Sequence, residues 1–505
     1  MENNDQTEVK NASGTDSNAQ TKKKKSGFIG KFVGFSVATW IGAALSLFIT
    51  PVATRIFDPA ELGMIHLFQT TVMLIMYLAM LGLHQGYIRY YNEPPEGFTK
   101  QSLYKYCLFI SCAFTLLIDA GILVMWKRVS LYIGNETSML IPVCLALSVM
   151  DYVILTFSSN AFRMQQNTLG YNIQQLGVVV STKVAYILAI IISPTHQYGI
   201  LFMTALFTIW TIGTLIFRSK MLAEASIRKL PPSSKKQLFA YSLPWIPVLF
   251  VSYLNTNLPQ YLLNSMADKT SVGIYGSAAT IVSIVTIVQA GFNIFWTPYV
   301  YQNYREKPQN IRKVHEIIVP FMITFFIGVL LFQDVIYLLL GEKYRQSRSY
   351  LGFLLASPVL YTIAETTGLG INISKKSYFN LLTSVISILV NLGISYFTIP
   401  KMGAIGAAVA VMTAALVMLV TKTLIGEKYF KVLSHPLRTG FAVLLMTAGA
   451  VISWRFSENF AARTTGLLII EAILLFCYRT EAKFCIDRGI KSLKSILNLG
   501  KEKNQ

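Results

Sequence analysis

Charged residues are scarce in this 505-residue chain, at only 13%, whereas hydrophobic residues make up 53%. Soluble globular proteins carry about 25% charged residues. The deficit therefore excludes an ordinary soluble domain, and the high apolar content excludes an intrinsically disordered chain. The composition is typical of a multi-pass membrane protein.

Cysteine is also scarce, and the sequence lacks the common motifs of catalytic and metal sites. The five cysteines show no CxxC or Cys/His spacing, so we predict neither disulfides nor a metal site. A P-loop, HExxH and GxSxG are absent as well. The segments between apolar runs are too short to fold as a catalytic domain. We therefore expect a transporter with no enzyme activity and no cofactor.

Apolar runs of about 20 residues, the length that crosses a bilayer as a helix, recur along the chain. Helix is the expected state, because lipid offers no partner to an open strand edge. We predict an all-α, polytopic membrane protein with about fourteen transmembrane helices. They lie at 31–54, 62–83, 103–126, 138–160, 171–193, 197–217, 239–263, 272–297, 314–333, 350–372, 378–399, 404–425, 437–454 and 465–479.

Positive charge is unevenly distributed along a chain with 44 Lys and Arg residues and a net charge of +20. An even number of spans places both termini on one side of the membrane, and most of these cations fall on that side. Cytoplasmic loops carry such an excess of Lys and Arg. We therefore predict that both termini are cytoplasmic, and we treat Lys183 as the one cation within a span.

A repeated motif divides the chain into two halves. Asp58 to Gly63 and Asp268 to Gly273 are both Asp-x4-Gly, and each follows a span that runs outward. A second pair of linkers, 194–199 and 400–406, supports the repeat. Because each copy has six spans, the copies share one orientation, as in transporters that hold substrate between two repeats.

The repeat and the charge pattern together predict the domain organisation. The predicted parts are a disordered cytoplasmic tail at 1–26, an N-lobe of helices 1–6 at 27–217, a cytoplasmic linker at 218–238, a C-lobe of helices 7–12 at 239–425, helices 13–14 at 426–480 and a basic cytoplasmic tail at 481–505.

Polar side chains form stripes at helical spacing on the first two spans of each predicted lobe. Small hydroxyl residues alone are explained by helix–helix packing, but Asn, Gln, His and Tyr in equivalent positions favour a shared, water-accessible cavity. The predicted substrate path consists of Ser36, Thr39, Ser46, Thr50, Thr70, Tyr77, His84, Arg89, Tyr253, Asn257, Gln260, Asn264, Ser283 and Asn293.

Four charged residues lie within apolar spans, where each needs a partner or water. Asp151 and Lys183 fall at mid-depth on consecutive spans, so they are candidates for a buried ion pair, or for ion coupling or ligand contact. Asp119 and Glu365 have no partner evident from sequence, which makes them candidates for coupling to H⁺ or Na⁺.

Span 7 contains three prolines, at positions 244, 247 and 259. Proline removes a backbone donor and kinks a helix. We therefore predict a bent or broken helix here, of the kind tolerated where the backbone lines a cavity.

Several motifs resemble those of the polysaccharide exporter and oligosaccharide flippase family, within the multidrug/oligosaccharidyl-lipid/polysaccharide exporter superfamily. Many relatives carry an Asp-Arg pair midway along span 7, where this chain has Pro259-Gln260. The matching stretches are Pro51 to Arg55 with Asp58 to Gly63, Leu81 to Leu83 with Arg89 to Tyr91, Ser242 to Pro244, Val272 to Tyr275, and Phe292 to Pro298.

The resemblance implies a bacterial cytoplasmic-membrane flippase for polyprenyl-diphosphate-linked oligosaccharide, in capsule, exopolysaccharide or O-antigen biosynthesis. In such a transporter two lobes rock around a central cavity. Its partners would be the lipid-linked oligosaccharide, membrane lipid and polysaccharide polymerase machinery, with no nucleic acid. Arg89, Lys183 and His84 are candidates to offset the charge of the diphosphate.

Three other functions remain open from the sequence. A multidrug cation antiporter of the same superfamily would share the two lobes but favour an acidic, aromatic-lined cavity. A membrane enzyme, a polymerase or ligase, would act on the lipid-linked glycan instead of moving it. A flippase for lipid-linked peptidoglycan precursor would differ mainly in cargo.

Overall fold

The computed structural model describes residues 38, 40–224, 226, 231–374, 376 and 378–483. These residues form helices and connecting turns without strands. The helices are α1 (Trp40–Ile56), α2 (Pro59–Ala79), α3 (Leu83–Tyr90), α4 (Lys100–Val124), α5 (Trp126–Gly134), α6 (Leu140–Met164), α7 (Thr168–Val179), α8 (His196–Glu224), α9 (Pro232–Ser242), α10 (Trp245–Met266), α11 (Lys269–Asn303), α12 (Pro308–Leu331), α13 (Gln333–Leu339), α14 (Leu351–Thr367), α15 (Leu369–Ile373), α16 (Tyr378–Met402), α17 (Ala404–Tyr429), α18 (Pro436–Arg455) and α19 (Phe460–Cys477).

Eleven helical segments among the described residues are long and apolar enough to cross a membrane, or twelve if a bent pair counts as one span. Two shorter apolar helices, α1 and α14, add to these. Every predicted run overlaps a helix, which confirms the all-α membrane fold. The exact number of fourteen spans stays a prediction, and both predicted tails lie outside the described residues apart from 481–483.

The span 168–191 is irregular along its length. Regular α7 continues as a π-helical turn, Val180–Val184, and then as a 3₁₀ segment, Ala185–Ile191. Local π-helix is rare and is often found at functional sites. Lys183 lies within this turn.

The predicted bend in span 7 is confirmed. The segments Pro232–Val251 and Tyr253–Met266 meet at 41°. Pro244 immediately precedes α10, and Pro259 lies inside it, where it withholds one backbone donor from the helix.

The two Asp-x4-Gly motifs meet where α2 and α11 cross. A Cβ on Gly63 would overlap the Lys269 carbonyl oxygen, and a Cβ on Gly273 would overlap the Pro59 carbonyl oxygen. Each contacted carbonyl lies four residues before the opposing glycine, so the contact is symmetric. Two copies related by a two-fold axis would make this contact, although the predicted lobe boundaries stay a prediction.

We call the end of the bundle that carries the linkers 57–58, 125–139, 192–195, 267–268 and 332–350 the Asp58 face, and the opposite end the Arg89 face. Contacts between the halves of the chain are dense at the Asp58 face. The Thr54 hydroxyl accepts from the Gly341 N–H at 3.0 Å, and the Tyr344 hydroxyl donates to the Phe57 carbonyl at 2.9 Å. An ion pair between Lys343 and Asp58 adds to them. The structure is therefore closed at the Asp58 face.

Of the last two helices, α18 packs on α12 and α14, and α19 packs on α18 and α12. Asp334, just after α12, pairs with Arg348 and with the buried Arg463 of α19. Near the Arg89 face, Arg438 binds the Glu481 carboxylate through two nitrogens. The pair of Arg463 with Asp334 thus fixes α19 to the segment after α12, and the pair of Arg438 with Glu481 joins α18 to the residues that follow α19.

Candidate functional site

A cavity of about 620 Å³ lies between α1, α2, α7 with its irregular continuation, α10 and α11. Tyr152 of α6 completes its wall. The lining includes His66 and Gly276 beside the crossing of α2 and α11, and it reaches Ala38 and Tyr171 near the Arg89 face. The volume is within the range of about 300–1,000 Å³ that is usual for ligand sites.

Hydroxyl, amide and phenol groups dominate the polar part of this lining. Gln69 donates to the Thr182 carbonyl at 2.8 Å, and the Tyr253 hydroxyl donates to the Thr70 carbonyl at 2.9 Å. His66 Nε2 and Gln260 Oε1 are buried without a hydrogen-bond partner. Unpaired buried polar atoms are costly, so the cavity presents groups that water or a polar ligand would satisfy.

Lys183 is the one charged residue among the described residues that line the cavity. Its side chain is exposed to the cavity, and it forms no ion pair with any described carboxylate. A cation enclosed by protein without a counter-ion favours an anionic ligand. The cavity is therefore polar and positively charged.

The predicted ion pair between Asp151 and Lys183 does not form. Asp151 Oδ2 accepts from the Thr208 hydroxyl of α8 at 2.7 Å instead. The prediction assumed a regular helix, whereas the turn that carries Lys183 is π-helical, so the helical spacing on which the prediction depended does not hold there. Asp151 thus links α6 to α8, and Lys183 stays free for the cavity.

Glu365, for which the sequence offers no partner, is paired. Lys422 Nζ lies 2.5 Å from Glu365 Oε1, and the lysine side chain is only 8% exposed. Lys422 lies inside the predicted span 404–425 and the structure places it within α17, so the expectation that Lys183 is the one cation inside a span is wrong. This pair is distant in sequence from the cavity lining and joins α14 to α17.

Asp119 of α4 is buried, and its Oδ1 has no hydrogen-bond partner. It does not line the cavity. It stays a predicted coupling carboxylate.

Half of the predicted substrate path lies in the cavity wall. These seven residues come from α1, α2, α10 and α11, which are the helices on which the polar stripes were predicted. They are Ser46, Thr50, Thr70, Tyr253, Asn257, Gln260 and Ser283. Ser36 and Thr39 lie outside the described residues.

The other predicted path residues lie elsewhere. The Tyr77 ring packs on Tyr253, with centroids 5.3 Å apart, and Asn264 donates to the Tyr132 carbonyl. Arg89 is exposed beside Glu93 at 3.6 Å. His84 is buried in α3, after a left-handed turn at Leu81 and Gly82 has broken the regular spacing of span 2. Asn293 of α11 does not line the cavity either.

One wall of the cavity was absent from the sequence prediction. Tyr171, Gln175, Thr182 and Tyr186 all line it. They repeat at near-helical spacing along span 5, which is the same signal in the sequence as the polar stripes on the other spans. Tyr152 of α6 has no such signal, because its neighbours at helical spacing face the protein core.

Comparison with known proteins places the fold. No curated protein matches the chain. Among solved structures, the lipid II flippase MurJ in an inward closed conformation matches with a TM-score of 0.64 and 14% identity, covering 88% of this chain and 99% of that one. A MATE transporter in a bent conformation matches with a TM-score of 0.49 and 14% identity, covering 83% and 96%.

A family model described as polysaccharide biosynthesis protein matches residues 31–302, more than half of the chain. The matched region contains the repeated motifs, the crossing of α2 and α11 and every described residue of the cavity wall. The match confirms the resemblance inferred from the sequence motifs. The chain belongs to the polysaccharide biosynthesis protein family.

Proposed function

We propose that this protein is a flippase that moves polyprenyl-diphosphate-linked oligosaccharide from the cytoplasmic to the outer leaflet by alternating access. The cargo would serve a bacterial surface polysaccharide such as capsule, exopolysaccharide or O-antigen. The observation that carries the proposal is Lys183, a cation without a counter-ion in a polar cavity.

The chemistry of the lining suits such a cargo. Sugar hydroxyl groups donate and accept hydrogen bonds, and Gln69, Asn257 and Gln260 offer both functions. The diphosphate carries negative charge, for which Lys183 supplies a partner. The polyprenyl tail is apolar and needs no protein path, because it stays in the lipid.

The same cation argues against a multidrug antiporter for cationic drugs. A cation binder would place a carboxylate in its cavity, whereas the described lining contains none. Lys183 would repel a positively charged drug.

Closure at the Asp58 face fits one state of an alternating-access cycle. The predicted topology places this face outside the cell, so the cavity would exchange cargo with the cytoplasmic side in this state. Transport would require the α2–α11 crossing to open while the opposite end closes, which rocking of two repeats achieves.

The comparisons with known proteins support transport of a lipid-linked cargo. The family model is described by polysaccharide biosynthesis, and the solved structure with a TM-score of 0.64 is a flippase for a lipid-linked cargo. We infer that the protein moves its cargo intact and is not an enzyme. Its partners would be membrane lipid and polysaccharide polymerase machinery, with both termini in the cytoplasm.

A strain that lacks the gene tests the proposal. We expect loss of surface polysaccharide, accumulation of the intact lipid-linked repeat unit on the cytoplasmic face, and restoration of both by the full chain. Normal polysaccharide with reduced efflux of cationic dyes would support the multidrug antiporter instead. Glycan that purified protein lengthens or transfers would establish an enzyme, and accumulation of peptidoglycan precursor would identify that cargo.

A further inference from the structure

A histidine lies between two glutamates at the Asp58 face, outside the cavity. His196, the first residue of α8, has Nδ1 2.8 Å from Glu61 Oε2 and Nε2 3.2 Å from Glu136 Oε1. Its backbone N–H also donates to Glu61, and Gln197 donates to Glu136 Oε1 at 2.7 Å. His196 is only 6% exposed. We call Glu61, Glu136 and His196 the histidine cluster.

The geometry of the histidine cluster requires one additional proton. A neutral imidazole has one N–H and one bare nitrogen, and an ionised carboxylate can only accept. With both glutamates ionised, a neutral His196 would turn a lone pair toward one of the carboxylates. A proton on the second ring nitrogen, or on Glu136, converts this repulsion into a charge-assisted hydrogen bond.

We propose that the histidine cluster is a proton-binding site whose occupancy holds the Asp58 face closed. The proposal rests on the proposed function only in that closure of this face is one state of the transport cycle. The ligand is the proton itself, and the cluster therefore provides a site through which a proton gradient can drive or gate transport.

The position of the cluster connects proton binding to the closed state. Glu61 lies two residues before Gly63, whose backbone contacts α11 at Lys269. His196 and Glu136 belong to α8 and to the linker between α5 and α6. A protonated cluster thus fixes the start of α2 to two other elements of the N-terminal half, in the orientation that places Gly63 against α11.

Few other charges act on the cluster. Besides His196, Asp58 is the charged residue that acts on Glu61 electrostatically. It lies one turn before Glu61, is exposed and pairs with Lys343. From α8 the neighbouring side chain is the neutral Gln197, and from the linker it is Glu136 itself. The two carboxylates that face His196, Glu61 and Glu136, are both negative, and the one cation close by, Lys343, pairs with the exposed Asp58, so the charge facing His196 favours binding of a proton.

The same helix carries the cavity wall. His66, Gln69 and Thr70 of α2 line the cavity about one and a half to two and a half turns beyond Glu61. Movement of α2 on loss of the proton would therefore change the cavity and the closed face together. This arrangement couples proton binding to cargo binding without direct contact between the histidine cluster and the cargo.

Distance measurement across the Asp58 face tests the proposal on the full chain in lipid nanodiscs. Spin labels would be attached at Thr137→Cys and Gln346→Cys, two exposed positions in different halves, in a background without the five native cysteines. As the pH rises from about 5 to 8, the range over which histidine usually titrates, we expect the short-distance population to fall.

Two variants of the cluster give opposite expected results. Glu136→Gln provides an amide that donates to the bare nitrogen of neutral His196, so the short distance should persist at every pH. His196→Ala removes both bonds, and the long distance should dominate at every pH. Glu93→Gln, a highly exposed glutamate near the Arg89 face, is the matched control and should titrate like the parent.

A merely structural role would not lock the Glu136→Gln variant closed. A parent protein with no pH response, or a Glu136→Gln variant that titrates like the parent, would overturn the proposal. The measurement uses no glycan, so failure of the export experiment and failure of the proton site give separate results.

Discussion

Gly63 and Gly273 occupy the same position in the two repeated motifs and lie against each other's helix backbone, so neither has room for a side chain. The contact is one of the closest between the two halves at the Asp58 face, as is that of Gly341 with the Thr54 carbonyl. It explains why both motifs end in glycine, because a Cβ at either site would push α2 and α11 apart.

Substitution of Gly63 by alanine should therefore weaken the closed state. We expect a loss of about 1–3 kcal/mol in the free energy of unfolding, as for other overpacked sites, and a large loss of transport. Thermal unfolding of purified protein measures the first quantity and complementation of the deletion strain the second.

Gly393→Ala is the matched control, since a Cβ on this exposed helical glycine would meet no atom within 4 Å. Alanine is more favourable than glycine inside a helix by roughly 0.5–1 kcal/mol. The control should be neutral or slightly stabilising. Equal behaviour of the two variants would contradict the packing argument.

The pair Glu365 and Lys422 should couple energetically. Loss of one partner leaves the other charge uncompensated, whereas loss of both does not. In a double-mutant cycle of Glu365→Ala and Lys422→Ala, we expect the double variant to be more stable than the sum of the single effects predicts, by about 0.5–3 kcal/mol. Strict additivity of the unfolding free energies would show that the pair contributes nothing.

The helices could be predicted from the sequence, because the state of a segment in lipid depends mainly on the residues of that segment. A run of about 20 apolar residues has one favourable state in lipid, and a repeated Asp-x4-Gly marks equivalent helix starts. The glycines could be recognised as equivalent, but their mutual contact depends on how the two halves dock, which no local pattern encodes.

The ion pairs were less predictable, because the direction of a side chain depends on whether the helix that carries it is regular. Lys183 lies in a π-helical turn, and the five residues of that turn include no glycine or proline that would mark an irregular helix. The partners Glu365 and Lys422 lie 57 positions apart. The sequence did not indicate the histidine cluster for a further reason. Glu61 lies at the start of α2 and Glu136 in the linker between α5 and α6, and neither belongs to a polar stripe.

Glu481 should stabilise the end of α19 in a pH-dependent manner. Burial raises the pKa of its carboxyl, but the hydrogen bonds and positive charge of Arg438, together with a backbone hydrogen bond and the nearby His435, leave the pKa below its ordinary value. A lowered folded-state pKa means that the stabilisation is present above the unfolded pKa and is lost as the pH falls through the folded value.

The variant Glu481→Gln tests this dependence. At neutral pH we expect it to be destabilised by roughly 1.5–3 kcal/mol, the usual contribution of a hydrogen bond to a charged group. The difference from the parent protein should shrink on acidification. A difference in unfolding temperature that stays constant from neutral to acidic pH would refute the assignment.

Asp151→Asn should be mild. Asparagine keeps an oxygen that accepts from Thr208, so α6 and α8 remain linked, and the unfolding free energy should change by less than about 1 kcal/mol. Because Asp151 and Lys183 are not paired, the effects of Asp151→Asn and Lys183→Gln on stability should add. If Lys183→Gln instead rescued the stability of the Asp151→Asn variant, that result would show that the two residues are paired and would contradict the structure.

Lys183→Gln should abolish most of the recognition of an anionic cargo while leaving the fold intact. The side chain forms no ion pair to break, so thermal stability should hold, whereas loss of a charge-assisted hydrogen bond of about 1.5–3 kcal/mol lowers affinity by roughly 10- to 100-fold. Binding of a short-chain prenyl diphosphate to purified protein measures the change.

Two further variants serve as controls. Lys183→Arg keeps the charge and should retain part of the affinity, and Lys401→Gln, at an exposed lysine on α16, should behave like the parent. Equal affinities of the Lys183→Gln and Lys401→Gln variants would exclude Lys183 as the anion partner. Efflux of cationic dyes by Lys183→Gln alone would show instead that this cation excludes positive cargo from the cavity.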